Sequence, residues 1–271
     1  MERPAWAPRG IDISVPSVSR VYDYYLGGSH NFEVDREAAR RAMEFMPGLP
    51  KIMQANRAFL RRAVRFAADE GIDQFLDIGS GIPTFGNVHE VAQSARPGAR
   101  VMYVDHDPVA VAHSTAVLAG NEDADVVTAD LRKPREILAS PQIQRLIDLN
   151  QPVALLLVAI LHFVEDTDDP YGAVAELRDA LAPGSLFVVS HASYEGLPLS
   201  QERAEGAVDV YKDIRNPLIM RSREDVARFF EGYDMVEPGL VPMAKWRPDS
   251  ASEDEDPYSY SGFAGVGRKS A

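Results

Sequence analysis

FLDIGSGIPT, residues 75–84, sets the frame for reading this chain. Phe75, Leu76 and Ile78 read as the end of a buried strand, with Asp77 among them, and the backbone then turns through Gly79, Ser80 and Gly81 toward a helix. A turn free of side chains lets a ligand lie on backbone N–H groups at a helix N-terminus. The spacing departs from the dinucleotide fingerprint, because Thr84 stands where G-x-G-x-x-G has its last glycine. Asp77 would face a cation and oppose a pyrophosphate, so the turn suits an ammonium-bearing nucleoside better than NAD. Taken alone, D-x-G-x-G is a weak signal, since a tight turn with no ligand also carries it.

Downstream, short β-rich runs near 74–78, 100–104, 125–128, 152–159 and 185–190 alternate with helical segments near 86–95, 108–119, 134–148 and 170–182. That alternation predicts a parallel sheet covered on both faces. A last helix at about 222–230 leads into YDMVEPGLVPM and FAGVGRK, two extended runs expected to form an antiparallel edge pair. Upstream, residues 1–16 carry three prolines and predict an irregular arm. Three helices should follow: one capped by Ser17 and ended by Gly27-Gly28, one from about Asp35 to Met46, and one from about Lys51 to Asp69. Residues 197–215 read as an insertion over the carboxyl edge of the sheet, and DSASEDEDP at 249–257 as a solvated acidic loop. We therefore expect residues 1–70 to form a helical extension or lid and residues 71–271 the ligand-binding domain.

In open α/β sheets ligands sit beyond the carboxyl ends of the strands, where the strand order reverses. The second strand ends in Asp105, placed to accept hydrogen bonds from a ribose diol, with His106 beside it to line an adenine. The third ends near Asp130 and Leu131, an acid for the adenine amino group and an apolar side chain to cover the ring. Three carboxylates at successive strand ends are far more specific than any one of them.

Composition narrows the partners. The chain has 271 residues, 45% hydrophobic and 25% charged, with a formal net charge of −13. That balance argues against nucleic acid or an anionic membrane as main partner, since both require a basic face. With no cysteine, disulfides, thiolate metal sites and cysteine nucleophiles are excluded. The same fact and the lack of a secretory signal in MERPAWAPRG fit a cytoplasmic protein. The longest apolar stretch, Val153 to Leu161, is too short to span a bilayer.

From about residue 55 onward the sequence resembles the class I S-adenosylmethionine-dependent methyltransferases. The resemblance rests on D-x-G-x-G, Asp105, Asp130, Leu161-His162 after the fourth strand, and VAELRDALAPGSLFVVSHAS. It implies a Rossmann-like sheet of order 3-2-1-4-5-7-6 with strand 7 antiparallel, and S-adenosylmethionine as cofactor. The usual third glycine is Pro83 here. A closer resemblance is to an actinobacterial methyltransferase-like group first catalogued as a domain of unknown function. It is carried by SRVYDYYLGGSHNFEVDREAA at 19–39, NRAFLRRAVRF at 56–66, IPTFGNVHEVA at 82–92 and the terminal WRP and GVGRK. Asp77, Ile78, Gly79, Gly81, Asp105, His106, Asp130, Leu131 and Ala159 are thereby expected at the cofactor, with Arg57 pairing with the methionyl carboxylate.

The acceptor is less legible. Methyl transfer from a sulfonium gains much of its acceleration from alignment, and a base is needed only if the acceptor must lose a proton. The fourth strand carries no Asn-Pro-Pro-aromatic motif, which argues against an amide or exocyclic nitrogen acceptor. His162 is the first candidate base, although a buried structural histidine accounts for it too. Tyr22, Tyr25 and Asn31 around Gly27-Gly28, together with His191, are candidate substrate or lid residues. No His, Asp or Glu cluster has metal-ligand spacing, so no metal is expected. The expected function is methyl transfer to a small molecule, and the alternative is a non-catalytic sensor that keeps the cofactor pocket.

Overall fold

The computed structural model describes residues 11–270 apart from 213, 215–216 and 251–255. Most of the expected proline-rich arm and of the acidic loop therefore lies outside the described residues.

Eight strands form one sheet: β1 (Gln74–Ile78), β2 (Arg100–Asp105), β3 (Ala124–Thr128), β4 (Ala154–Val158), β5 (Leu186–His191), β6 (Tyr233–Met235), β7 (Val241–Pro242) and β8 (Phe263–Lys269). The order is β3-β2-β1-β4-β5-β8-β6, with β7 also bonded to β8. β1 to β5 pair in parallel, and β8 runs antiparallel to both β5 and β6. With the two-residue β7 set aside, β8 takes the place of the seventh strand, and the expected order holds. β1, β4 and β5 are buried along their whole length, as strands covered on both faces must be.

The helices are α1 (Val18–Tyr25), α2 (Glu33–Phe45), α3 (Leu49–Asp69), α4 (Val88–Ala95), α5 (Pro108–Val117), α6 (Pro134–Leu138), α7 (Pro141–Leu146), α8 (Pro170–Asp179), α9 (Gln201–Tyr211) and α10 (Arg223–Arg228). The helix expected over 134–148 is split into α6 and α7. Pro141 lacks the N–H that would continue the ladder, and it opens the second helix instead. Ser17 sits at the N-cap of α1, but its side chain does not cap the helix. Its hydroxyl donates to the Asp107 carboxylate at the start of α5, tying the first helix to the end of β2.

The two faces of the sheet carry separate cores. Phe59, Ala63, Val64 and Ala67 of α3 pack with Phe75, Val101, Leu156 and Val188, while Leu76, Met102 and Leu155 pack with α7, α8 and α10 on the other face. α3 thus belongs to the core of the sheet. α1 and α2 instead share a third apolar cluster with α9, through Val21, Ala38, Ala42, Ala207 and Tyr211. Among the described residues no helix is long and apolar enough to cross a membrane.

Candidate active site

β1 lies between β2 and β4, so the connections leaving it and leaving β4 diverge at the carboxyl edge of the sheet. The chain leaves β1 through Gly79 at φ +74° and Gly81 at φ +68°, in the left-handed region that glycine reaches without strain. A Cβ on Gly79 would lie 2.4 Å from Cγ1 of Ile160, just beyond β4, so no larger residue fits. The amides of this turn are already engaged. Gly79 and Ser80 donate to the Val104 carbonyl at 2.8 and 3.3 Å, and Gly81 donates to Oδ2 of Asp105 at 2.7 Å. α4 begins only at Val88. The expected cradle of free amides at a helix N-terminus is therefore replaced by a cleft whose polar groups are side chains.

Asp77, Asp105 and Arg57 line that cleft together with Ile82, His106, Ala159 and Ile160. Burial pushes the Asp77 carboxyl up to about 7; Arg57 pulls against this and Asp105 adds to it. No protein group donates to the Asp77 side chain among the described residues. Burial also raises Asp105, although its oxygens accept from the Gly81 and Asp107 amides. Arg57 donates one hydrogen bond to Oγ1 of Thr84 at 2.8 Å, while its Nε and the Ser80 hydroxyl are buried without a partner. His106 stands half exposed, its Nδ1 3.8 Å from Oδ1 of Asp105. Asp130 and Leu131 line an adjoining recess with Ile78, Gly79 and His106. There Arg132 holds the Asp130 carboxylate through both oxygens and lowers its pKa.

Beyond Tyr22, Asn56, Ala159 and Phe163, which line both spaces, lies a second cavity. It comprises about 760 Å³ of non-atom space, open solvent at its mouth included. Its walls are mostly apolar: Met46, Leu49, Ile52 and Met53 from the N-terminal helices, Ala207 and Tyr211 from α9. At the dividing wall Ala159 adopts φ +58°, unusual for a residue with a Cβ and a form of backbone strain that concentrates at functional sites. Ser190 accepts from the Ala159 amide at 2.9 Å and donates to Oδ1 of Asn56 at 2.5 Å; Asn56 in turn donates to the Tyr22 hydroxyl at 2.9 Å.

His162 lines this chamber, with Nδ1 accepting from the Ala192 amide at 3.2 Å. His191 also reaches it, yet both its ring nitrogens are engaged, Nδ1 with the Ala192 carbonyl at 2.8 Å and Nε2 with Arg221 at 2.9 Å. Buried Arg221 further donates to the carbonyls of Leu161 and Val164 and to Asp166. It thereby clamps the turn that carries His162 to the end of β5.

A family model described as S-adenosyl methyltransferase matches residues 4–270. The chain belongs to this S-adenosyl methyltransferase family. Among solved structures, a candidate methyltransferase from Thermobifida fusca YX is 42% identical, with a TM-score of 0.91 over 99% of this chain and 100% of that one. A DUF574 family protein from Streptomyces avermitilis MA-4680 is 38% identical, with a TM-score of 0.90 over 95% of this chain and 99% of that one. The plantazolicin methyltransferase BamL, solved with a desmethylPZN analogue and SAH, shares the fold at 11% identity and a TM-score of 0.51, over 93% of this chain and 96% of that one. No curated protein matches the sequence significantly. The protein is thus an S-adenosylmethionine-dependent methyltransferase with a Rossmann-like sheet.

The cleft of this methyltransferase fits its cofactor on its own terms. A glycine with no room for a Cβ, a buried carboxylate with no protein donor among the described residues, and Arg57 and Ser80, each with one buried polar atom lacking a protein partner, all line one space. Three sequence expectations for the acceptor side do not fit. Tyr25 is buried in the α1–α2–α9 cluster, accepts from the Tyr211 hydroxyl at 3.2 Å, and lines neither cavity. Asn31 is spent on Asp23, the Gly28 carbonyl and Arg36. His191 is held by Ala192 and Arg221, with no ring nitrogen left for a substrate. The Gly27-Gly28 corner is packed as well, since a Cβ on Gly28 would meet Oδ1 of Asp23 at 2.0 Å. Sequence reading missed Asn56, Ser190 and Arg221. Asn56 stands at the head of NRAFLRRAVRF and Ser190 within VAELRDALAPGSLFVVSHAS, but neither string tells what its side chain bonds to.

Proposed function

We propose that the enzyme methylates a small, mostly apolar molecule held in the chamber beyond Ala159. The observation that carries this is the wall of Tyr22, Asn56, Ala159 and Phe163 common to both cavities, which puts cofactor and acceptor on either side of one boundary. Bound S-adenosylmethionine supplies an electrophilic methyl group. Asp105 would hold the ribose diol, Asp77 the methionyl ammonium and Arg57 the methionyl carboxylate. Ile78, Asp130 and Leu131 would border the adenine beside His106. α1 borders both spaces and, backed by α2, serves as the lid, whereas α3 contributes Arg57 and Asn56. Alignment across the wall, enforced by the Ser190–Asn56–Tyr22 chain, accounts for the catalysis. A sensor without turnover would not need the chamber, so its presence favours an enzyme. The net charge of −13 speaks against a nucleic-acid acceptor.

Crystals grown with S-adenosylhomocysteine test the reading. The expected result is adenosine between Asp105 and Leu131, with the sulfur facing Ala159. An adenosine bound elsewhere, or a sulfur turned away from the chamber, would refute the proposal.

A further inference from the structure

The proton acceptors of the chamber narrow its occupant. Among the described residues its lining contains no Asp, Glu, Lys or Arg. The titratable groups that reach it are Tyr22, Tyr211, His162 and His191. Burial raises both tyrosines, Tyr211 to about 12, so each is a neutral phenol at physiological pH. His191 donates from Nδ1 to the Ala192 carbonyl and accepts at Nε2 from Arg221, which leaves it no free lone pair.

His162 is decided by one contact. The Ala192 amide can only donate, so Nδ1 must be the unprotonated nitrogen and, in the neutral ring, Nε2 carries the hydrogen. Burial, with His191 and Arg221 close by, holds the ring well below its ordinary pKa; Asp166, the nearest carboxylate in this network, is already paired with Arg221. The lone pair of His162 is therefore occupied, and its free ring atom is a donor.

Resting on the methyltransferase reading of the chamber, we infer that it takes a neutral, apolar heteroaromatic compound whose ring nitrogen reacts without losing a proton, and that Nε2–H of His162 donates a hydrogen bond to a second acceptor atom of that compound. His162 is thus a binding and orienting group and not the general base expected from sequence. An alcohol, a phenol or a protonated amine would bring a proton that no described side chain of the chamber can take. A pre-ionised oxygen would have to be buried among apolar walls with no cationic side chain among the described lining residues, at a cost that a neutral ring avoids.

Two measurements test this. Long-range ¹H–¹⁵N spectra of histidine-labelled protein, recorded between about pH 5.5 and 8.5, should show His162 protonated at Nε2 alone and unchanged throughout. Its signals are assigned by their loss in His162→Gln or, if that variant does not fold, by their shift in Phe163→Leu, whose ring centroid lies 4.4 Å from that of His162. An Nδ1–H tautomer, or a titration inside this range, would overturn the inference. The second measurement uses protein saturated with S-adenosylhomocysteine and three probes of one size: 1,5-naphthyridine, whose two ring nitrogens stand for the reacting atom and the second acceptor, naphthalene and 2-naphthol. The naphthyridine should bind roughly fivefold tighter than naphthalene through the one added hydrogen bond, shift the Nε2–H signal, and lose that advantage in His162→Ala. Equal binding of the naphthyridine and naphthalene, no binding of either, or 2-naphthol bound as its anion would each contradict it. Failure of the methyltransferase reading itself would look different, as S-adenosylhomocysteine not binding at all.

Discussion

Asp77 is a buried carboxylate with no protein donor, and its state should govern both stability and cofactor binding. Burial pushes its carboxyl up to about 7, above the ordinary aspartate value of 3.8. A raised folded pKa means that the stability associated with the neutral group is fully present below the unfolded value and is lost as pH rises toward the folded one. The ligand-free enzyme should therefore lose stability between about pH 4 and 7, on the order of a few kcal/mol. Urea titrations at several pH values should show this slope, and Asp77→Asn should flatten it. An ammonium needs the ionised form, so affinity for S-adenosylhomocysteine should rise from about pH 6 to 7.5 in the wild type and not in Asp77→Asn. At this scale the sequence was informative where a residue type had one available role at its place in the motif. Asp77, Gly79 and Asp105 were legible for that reason. Asn56, Ser190 and Arg221 were not, because each acts through partners 30 to 134 residues away in the chain.

The N-terminal helices are held by one buried ion pair. Nε of Arg20 lies 3.0 Å from Asp35, which also accepts from the amides of Ser17 and Phe32; both side chains are almost fully buried. Removing one partner leaves a buried charge uncompensated, so Arg20→Ala should cost about 3 kcal/mol in chemical denaturation. Cofactor affinity should fall with it, because α1 lines the cleft through Val18 and Tyr22. The C-terminal WRP plays a comparable part for the sheet. Trp246 is fully buried, meets Phe59 and Phe66 edge-on, and has its carbonyl held by Arg62 at 2.8 Å. Trp246→Ala should cost about 3 to 5 kcal/mol without altering the acceptor chamber. Helix and strand positions were legible from periodicity. The pairing of α2 with α9 was not, since an amphipathic face shows only that something covers it.

The whole molecule places a polar cleft and an apolar chamber beyond the carboxyl edge of one sheet, with α1 and α9 contributing to the walls of the chamber. The alternation of strands and helices predicted the sheet, and its expected order holds because parallel crossovers leave few alternatives. The chamber was only partly legible in the sequence: Tyr22, His162 and His191, singled out for the acceptor side, do line it, but the rest of its lining is drawn from apolar residues between 18 and 262 that no motif joins. The central claim is that S-adenosylmethionine occupies the cleft built on Gly79, Asp77 and Asp105. Calorimetric titration of S-adenosylhomocysteine into the wild type and into Gly79→Val tests it most directly, with circular dichroism confirming that both are folded. The account predicts one site per chain with a dissociation constant on the order of micromolar, and no binding to the variant, whose side chain would occupy the space of Ile160. Folded wild-type protein that gives no heat with this ligand, or a Gly79→Val variant that binds it as well as the wild type, would contradict it.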